Sequence, residues 1–152
     1  MNEKPVKMGI SSPAFKNKER IPEKYSCSGD GISPPLAIAG IPASAKSLAL
    51  VVDDPDAPSG TFIHWLVWNI APRTKEIKEG AIGIGVEGVT SAGEIGYTPP
   101  CPPRGSTHTY RFKIYALDTL LKLGPGADSE QLEKAMTGHI VSQAGLDGEF
   151  GR

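Results

Sequence analysis

The sequence predicts a mainly β, sandwich-like protein with few helices, one of them near the C-terminus. Two observations carry this. Strand-type apolar runs recur through the chain, whereas one late segment alone has helical spacing. The 18 glycines and 14 prolines make up about a fifth of the 152 residues, against a usual combined share of roughly 12%. They fall between the apolar runs, as tight turns between short strands do.

Lys7–Ile10 and Leu36–Ile38 are short stretches read as strands. Ser47–Val52 is a continuous apolar run, the pattern of a strand buried on both faces. Phe62–Ile70 is β-branched and aromatic. Alternation puts Phe62, His64, Leu66, Trp68 and Ile70 on one face and Ile63, Trp65, Val67 and Asn69 on the other. In Thr109–Leu117, Tyr110, Phe112, Ile114 and Ala116 face one way, and Arg111 and Lys113 the other. The helix starts at Asp128, a cap with Gln131 as its reciprocal partner. Leu132, Ala135, Met136, Ile140 and Gln143 continue it at helical spacing. Gly138 interrupts at a cost of up to about 1 kcal/mol relative to alanine. No repeat or linker divides the chain, so residues 1–152 read as one domain.

The net charge of −1 argues against a broad nucleic-acid surface. No run of apolar residues is long enough for a membrane span. The N-terminus leads to no apolar signal region, so a cytoplasmic location is expected. In that compartment Cys27 and Cys101 are expected as free thiols, an expectation that a hyperthermophilic source would relax.

Two stiff, polar-tipped loops draw the chemistry together. In Asp54-Pro55-Asp56-Ala57-Pro58 the prolines fix φ and remove donors. Asp54 ends the buried run, at a sheet rim where sites commonly lie. Asp56 suits an Asx-type turn. His64, beside the acidic loop, is expected to pair with a carboxylate, be held partly cationic and suit an anion. In the second loop, Pro102-Pro103-Arg104-Gly105, the amides after Arg104 can point at an anion. His108 and Tyr110 follow it on one strand face. Gly83-Ile84-Gly85-Val86-Glu87-Gly88 matches G-x-G-x-x-G, but no helix opens within it, so it reads as a mobile glycine-rich loop. No H-x-x-x-H or C-x-x-C spacing supports a metal, and no cofactor is expected. Ser59 and Ser106 read as turn residues, not nucleophiles.

With both clusters in hand, the chain resembles the phosphatidylethanolamine-binding protein family, or Raf-kinase-inhibitor-like proteins, in its short prokaryotic branch. The matching residues include Tyr25-Ser26-Cys27-Ser28-Gly29-Asp30-Gly31 and Asp53-Asp54-Pro55-Asp56-Ala57-Pro58-Ser59-Gly60. They continue with His64-Trp65-Leu66-Val67-Trp68-Asn69, Pro99-Pro100-Cys101-Pro102-Pro103 and His108-Thr109-Tyr110, and end at Glu149-Phe150-Gly151-Arg152. The resemblance implies an antiparallel β-sandwich with an anion pocket at the strand ends. Asp54 and His64 would form its floor, with Pro103, Gly105, His108 and Tyr110 around it. Asp56 and Pro58 would shape the loop, with a cis peptide before a proline. Family members bind phosphate-bearing or acetate-like ligands; eukaryotic relatives bind phospholipid headgroups and inhibit kinases or serine proteases. Prokaryotic relatives often form dimers. Thr109 stands where an arginine is frequent, and the pocket-closing C-terminal helix of longer members is not evident.

The expected function is therefore a non-enzymatic ligand-binding module with a small phosphate- or phosphoethanolamine-like anion pocket, acting as an inhibitor or regulator of a protein partner. One alternative is a serine-protease or kinase inhibitor working by surface contact. Another is a hydrolase using Asp54 and His64 as an acid–base pair.

Overall fold

The structure, a computed structural model, describes residues 7–152. Among the described residues there are eight strands, a short 3-10 helix at Glu23–Tyr25 and one α-helix: β1 Gly9–Ser11, β2 Leu36–Ala39, β3 Ser47–Asp54, β4 Phe62–Ile70, β5 Glu76–Ile77, β6 Val86–Glu87, β7 Thr107–Leu117, α1 Ser129–Met136 and β8 Ile140–Gly151. They form two antiparallel sheets, one in the order β1-β2-β5, the other β6-β4-β3-β7-β8. The expected antiparallel sandwich is thus present.

β3 lies at the centre of the larger sheet, and all eight of its residues are buried, as its unbroken apolar run requires. Leu48, Leu50 and Val52 join Phe112, Ile114 and the small sheet's Ile10, Leu36 and Ile38 in the core between the sheets. Ala49 and Val51 face the other way, toward Leu66, Trp68 and the helix residues Leu132 and Met136.

β4 departs from plain alternation at two places. Val52 pairs with Trp65 and Asp53 with Ile63, so His64 is an extra residue. A second shift lies near Asn69, whose φ is +55°. Such bulges reset which face a side chain meets. Leu66 and Trp68 accordingly face the helix, whereas Trp65, Val67 and Ile70 face the opposite sheet. The expected assignment of all even positions to one face is corrected on this ground.

The helix is capped as expected. The Gln131 amide donates to Asp128 Oδ1 at 2.9 Å, and the Asp128 amide to Gln131 Oε1 at 3.0 Å. It does not continue through Ile140 and Gln143. Thr137 ends it, Gly138 takes φ +83°, and Ile140–Gly151 becomes β8, paired along the length of β7. Local helical spacing yields to a long ladder that uses every inward position of Ser142, Ala144, Leu146, Gly148 and Phe150.

The glycine motif is not a free loop. Val86–Glu87 is a short strand on the edge of β4. A Cβ on Gly85 would meet the Trp68 carbonyl, and one on Gly88 would lie 2.5 Å from the Ala127 carbonyl. These glycines permit close backbone packing.

Cys27 and Cys101 are joined in a disulfide across 74 residues of sequence, with 5.4 Å between Cα atoms. The expectation of free thiols is corrected. Nothing in the short-range sequence pattern signals the pairing, because the fold alone brings residues 25–31 against 97–101. The same junction carries the Cys27 amide on the Pro100 carbonyl at 3.0 Å and the Tyr97 hydroxyl on the Tyr25 carbonyl at 2.8 Å.

Candidate functional site

The central position of β3 decides the site. Asp54 at its end is flanked by β4, which carries His64, and by β7, which carries His108 and Tyr110. Together with Pro58, Phe62 and the segment Thr98–Pro103, they enclose a cavity of about 280 Å³. The disulfide fastens the far wall, since Cys101 lines the cavity.

The carboxylate of Asp54 is fully engaged. Oδ2 accepts from His108 Nδ1 at 2.6 Å, and Oδ1 accepts the Asp56 amide at 2.8 Å. The second contact is an Asx turn made by Asp54, not by Asp56 as expected, and it stiffens the proline loop. Asp56 Oδ2 accepts the Thr109 amide at 2.8 Å, tying that loop to β7. Every peptide bond among the described residues is trans, so the expected cis proline bond is absent; these two aspartates and a turn from Ala57 to Gly60 shape the loop instead.

His64 is not paired with Asp54. Its Nδ1 lies 2.7 Å from the Thr98 carbonyl oxygen, which can only accept, so the ring donates there and Nε2 holds the lone pair of the neutral form. Burial pushes the His64 pKa below its ordinary value and outweighs that carbonyl and the nearby Asp54. The expected carboxylate-paired, partly cationic His64 is corrected, because β7 rather than β4 presents the imidazole that reaches Asp54. An acid–base pair of Asp54 and His64 loses its geometric basis for the same reason.

Tyr110 packs edge-on to His64, with ring centroids 5.2 Å apart, and stacks with His108 at 6.4 Å. Burial first, then Asp54 and Asp56, hold its hydroxyl pKa well above the ordinary value, so the phenol remains a donor. Among the described residues no buried side-chain nitrogen or oxygen lacks a partner. Neither Nε2 of His64 or His108 nor the Tyr110 hydroxyl has a hydrogen-bond partner there, so all three atoms open onto the cavity.

Pro58 and Pro103 line the cavity, but Gly105 does not. Its amide donates to the main-chain oxygen of Arg152, and the Ser106 amide to the Pro103 carbonyl. The turn amides expected to hold an anion are therefore occupied within the fold. Two further wall residues carry little chemical signal in the sequence. Thr98 acts through its backbone carbonyl, which leaves no side-chain signal. Phe62, whose ring lies 4.8 Å from that of His64, is apolar and sits two residues before it on the same strand, so only its place on that face points to the cavity. No cluster of three or more metal-ligating side chains occurs among the described residues.

Fold and geometry together define a β-sandwich domain with a preformed, histidine-lined cavity at the end of its larger sheet. The pattern of the family described as phosphatidylethanolamine-binding protein matches residues 11–151, and the chain belongs to that family. A UPF0098 protein of Pyrococcus abyssi is 51% identical over 150 residues, covering 93% of this chain and 84% of the relative. The crystal structure of a phosphatidylethanolamine-binding protein homologue from Chlamydia trachomatis is 47% identical with a TM-score of 0.93, over 96% of this chain and 98% of that one. YbcL of Escherichia coli, described as a member of the mammalian family, shares 25% identity with a TM-score of 0.88, over 97% and 99% of the two chains.

Proposed function

We propose that the cavity binds a small phosphate-bearing or carboxylate ligand without catalysis, and that the loaded protein regulates a protein partner as an inhibitor. The observation that supports this is the convergence of His108 Nε2, His64 Nε2 and the Tyr110 hydroxyl on one space. Tyr110 donates. Neutral His64 accepts. His108 donates from Nδ1 to Asp54, which orients the ring and leaves Nε2 facing the same space. A ligand that both accepts and donates fits this set, as a singly protonated phosphate monoester does. Asp54 is acceptor-only and spent within the fold, so it orients His108 rather than touching the anion. At about 280 Å³ the cavity suits a headgroup and not lipid tails.

Apart from the Tyr110 phenol, the hydroxyl and sulfur groups on the wall are already engaged, which favours binding over turnover. The Thr98 hydroxyl shares a hydrogen bond of 2.8 Å with Thr90, and the Cys101 sulfur is held in the disulfide. Titration with inorganic phosphate, phosphoethanolamine and acetate, followed by imidazole NMR signals, tests the reading. Both His64 and His108 should shift at millimolar ligand, and His108→Ala should abolish binding. Silence of both imidazoles would remove the pocket reading. Inhibition of a partner that persisted in His108→Ala would favour surface contact instead.

A further inference from the structure

We propose that the Arg152 guanidinium is the anion-selecting cation at the mouth of this cavity, an inference that rests on the anion-pocket reading. The cavity lining contains no lysine or arginine. Asp54 faces His108, and burial favours the neutral form of His64, so an entering anion meets little opposing charge inside. A site for a phosphate monoester needs that charge from the rim.

Arg152 stands there in a fixed position. Its Nε–H donates to the Pro102 carbonyl at 2.7 Å, and Pro102 is a buried wall residue of the cavity. Its main-chain amide donates to the Ser106 carbonyl at 3.4 Å, and its main-chain oxygen accepts the Gly105 amide at 2.5 Å. Three bonds thus seat the residue on the 102–106 turn. Gly151 makes the seat possible, since a Cβ there would collide with the Thr107 hydroxyl. With Nε committed to Pro102, the two Nη groups have no hydrogen-bond partner among the described residues. They offer the planar pair of donors that suits a phosphate oxygen edge.

The charge also reaches the cavity interior. Arg152 draws the Tyr110 hydroxyl pKa down, against the larger upward effect of burial. Neighbouring arginines are placed differently. Arg20 donates to the Gly151 carbonyl and lies over the Phe150 ring, 4.7 Å from its centroid. Arg104, like Arg152, is exposed and outside the cavity wall itself, but among the described residues no hydrogen bond ties its guanidinium to that wall as Nε of Arg152 is tied to Pro102.

The test compares wild type, Arg152→Gln, Arg152→Lys and Arg104→Gln in full-length chain, with inorganic phosphate as probe at several salt concentrations. Binding is read from the His108 ring signals and folding from the melting temperature. Arg152→Gln should weaken phosphate binding about tenfold and flatten its salt dependence, because one charge-assisted contact is lost. Arg152→Lys should retain the salt dependence and lose part of the affinity, because a point charge replaces a fork. Arg104→Gln should bind as wild type does. Equal affinity in wild type and Arg152→Gln overturns the assignment while the pocket reading stands. Equal weakening in Arg104→Gln and Arg152→Gln overturns it in favour of a diffuse rim field. Absence of phosphate binding to wild type overturns the pocket reading and this inference together.

Discussion

Removing the disulfide should cost the protein a large part of its stability while leaving the folded site in place. The bridge closes 74 residues of chain. In the chain-entropy description a loop of that length restricts the unfolded state by about 15 cal/mol/K, or about 4.5 kcal/mol at 25 °C. The unfolding entropy of 152 residues, at roughly 2.1 cal/mol/K each, is about 0.32 kcal/mol/K, so Tm should fall by about 14 °C. Most of this loss belongs to the unfolded chain. In the folded state the Cys27 amide and the Tyr97 hydroxyl hold the same junction independently of the sulfur bond. The double variant Cys27→Ser/Cys101→Ser, and wild type with and without a phosphine reductant, would be melted by calorimetry. A fall of less than about 5 °C in both would refute the reasoning, because a loop this long cannot be closed so cheaply if the unfolded chain is free.

Two further outcomes follow from the geometry. Burial depresses the folded-state pKa of His64 below the ordinary 6.5, so the unfolded chain takes up this proton first. Its contribution is complete above pH 6.5 and is lost as pH falls through the lower folded value. Denaturation midpoints measured from neutral pH downward should show a shallower acid-side loss in His64→Gln than in wild type; identical slopes would contradict the assignment. Gly88→Ala should destabilise by about 1–3 kcal/mol through overpacking, since the new Cβ would lie 2.5 Å from the Ala127 carbonyl and 2.9 Å from the Trp68 ring. A urea midpoint equal to wild type would show that the 83–88 segment can yield.

The sequence made the central strands legible because burial on one or both faces imposes a period. The Asp128–Gln131 cap was legible for the same local reason. β8 was not. Its inward positions are mostly small, Ser142, Ala144 and Gly148, so hydrophobic alternation is weak. Ile140 and Gln143 also continue the helical spacing of Leu132 and Met136, until Gly138 turns the chain away. The site residues were recognisable by type and by motif, but their pairing was not. His64 is ten residues from Asp54, and His108 is 54 away. Only the strand order, with β3 between β4 and β7, shows that the distant imidazole takes the carboxylate. The disulfide partner was hidden likewise, as a contact between two irregular segments with no period to betray it.

The extra residue at His64 has a consequence for how this protein can change in length. Removing one residue from Ile63–Trp65 would straighten β4 and exchange the faces of everything before it, taking the imidazole out of the cavity. No substitution elsewhere in the strand could restore it. The neighbouring 57–61 turn is different, since an added Cβ at Gly60 would meet no atom within 4 Å, although its φ of +106° keeps that position for glycine. Insertions and deletions in relatives should therefore gather in that turn, a few residues from a strand whose residue count is fixed.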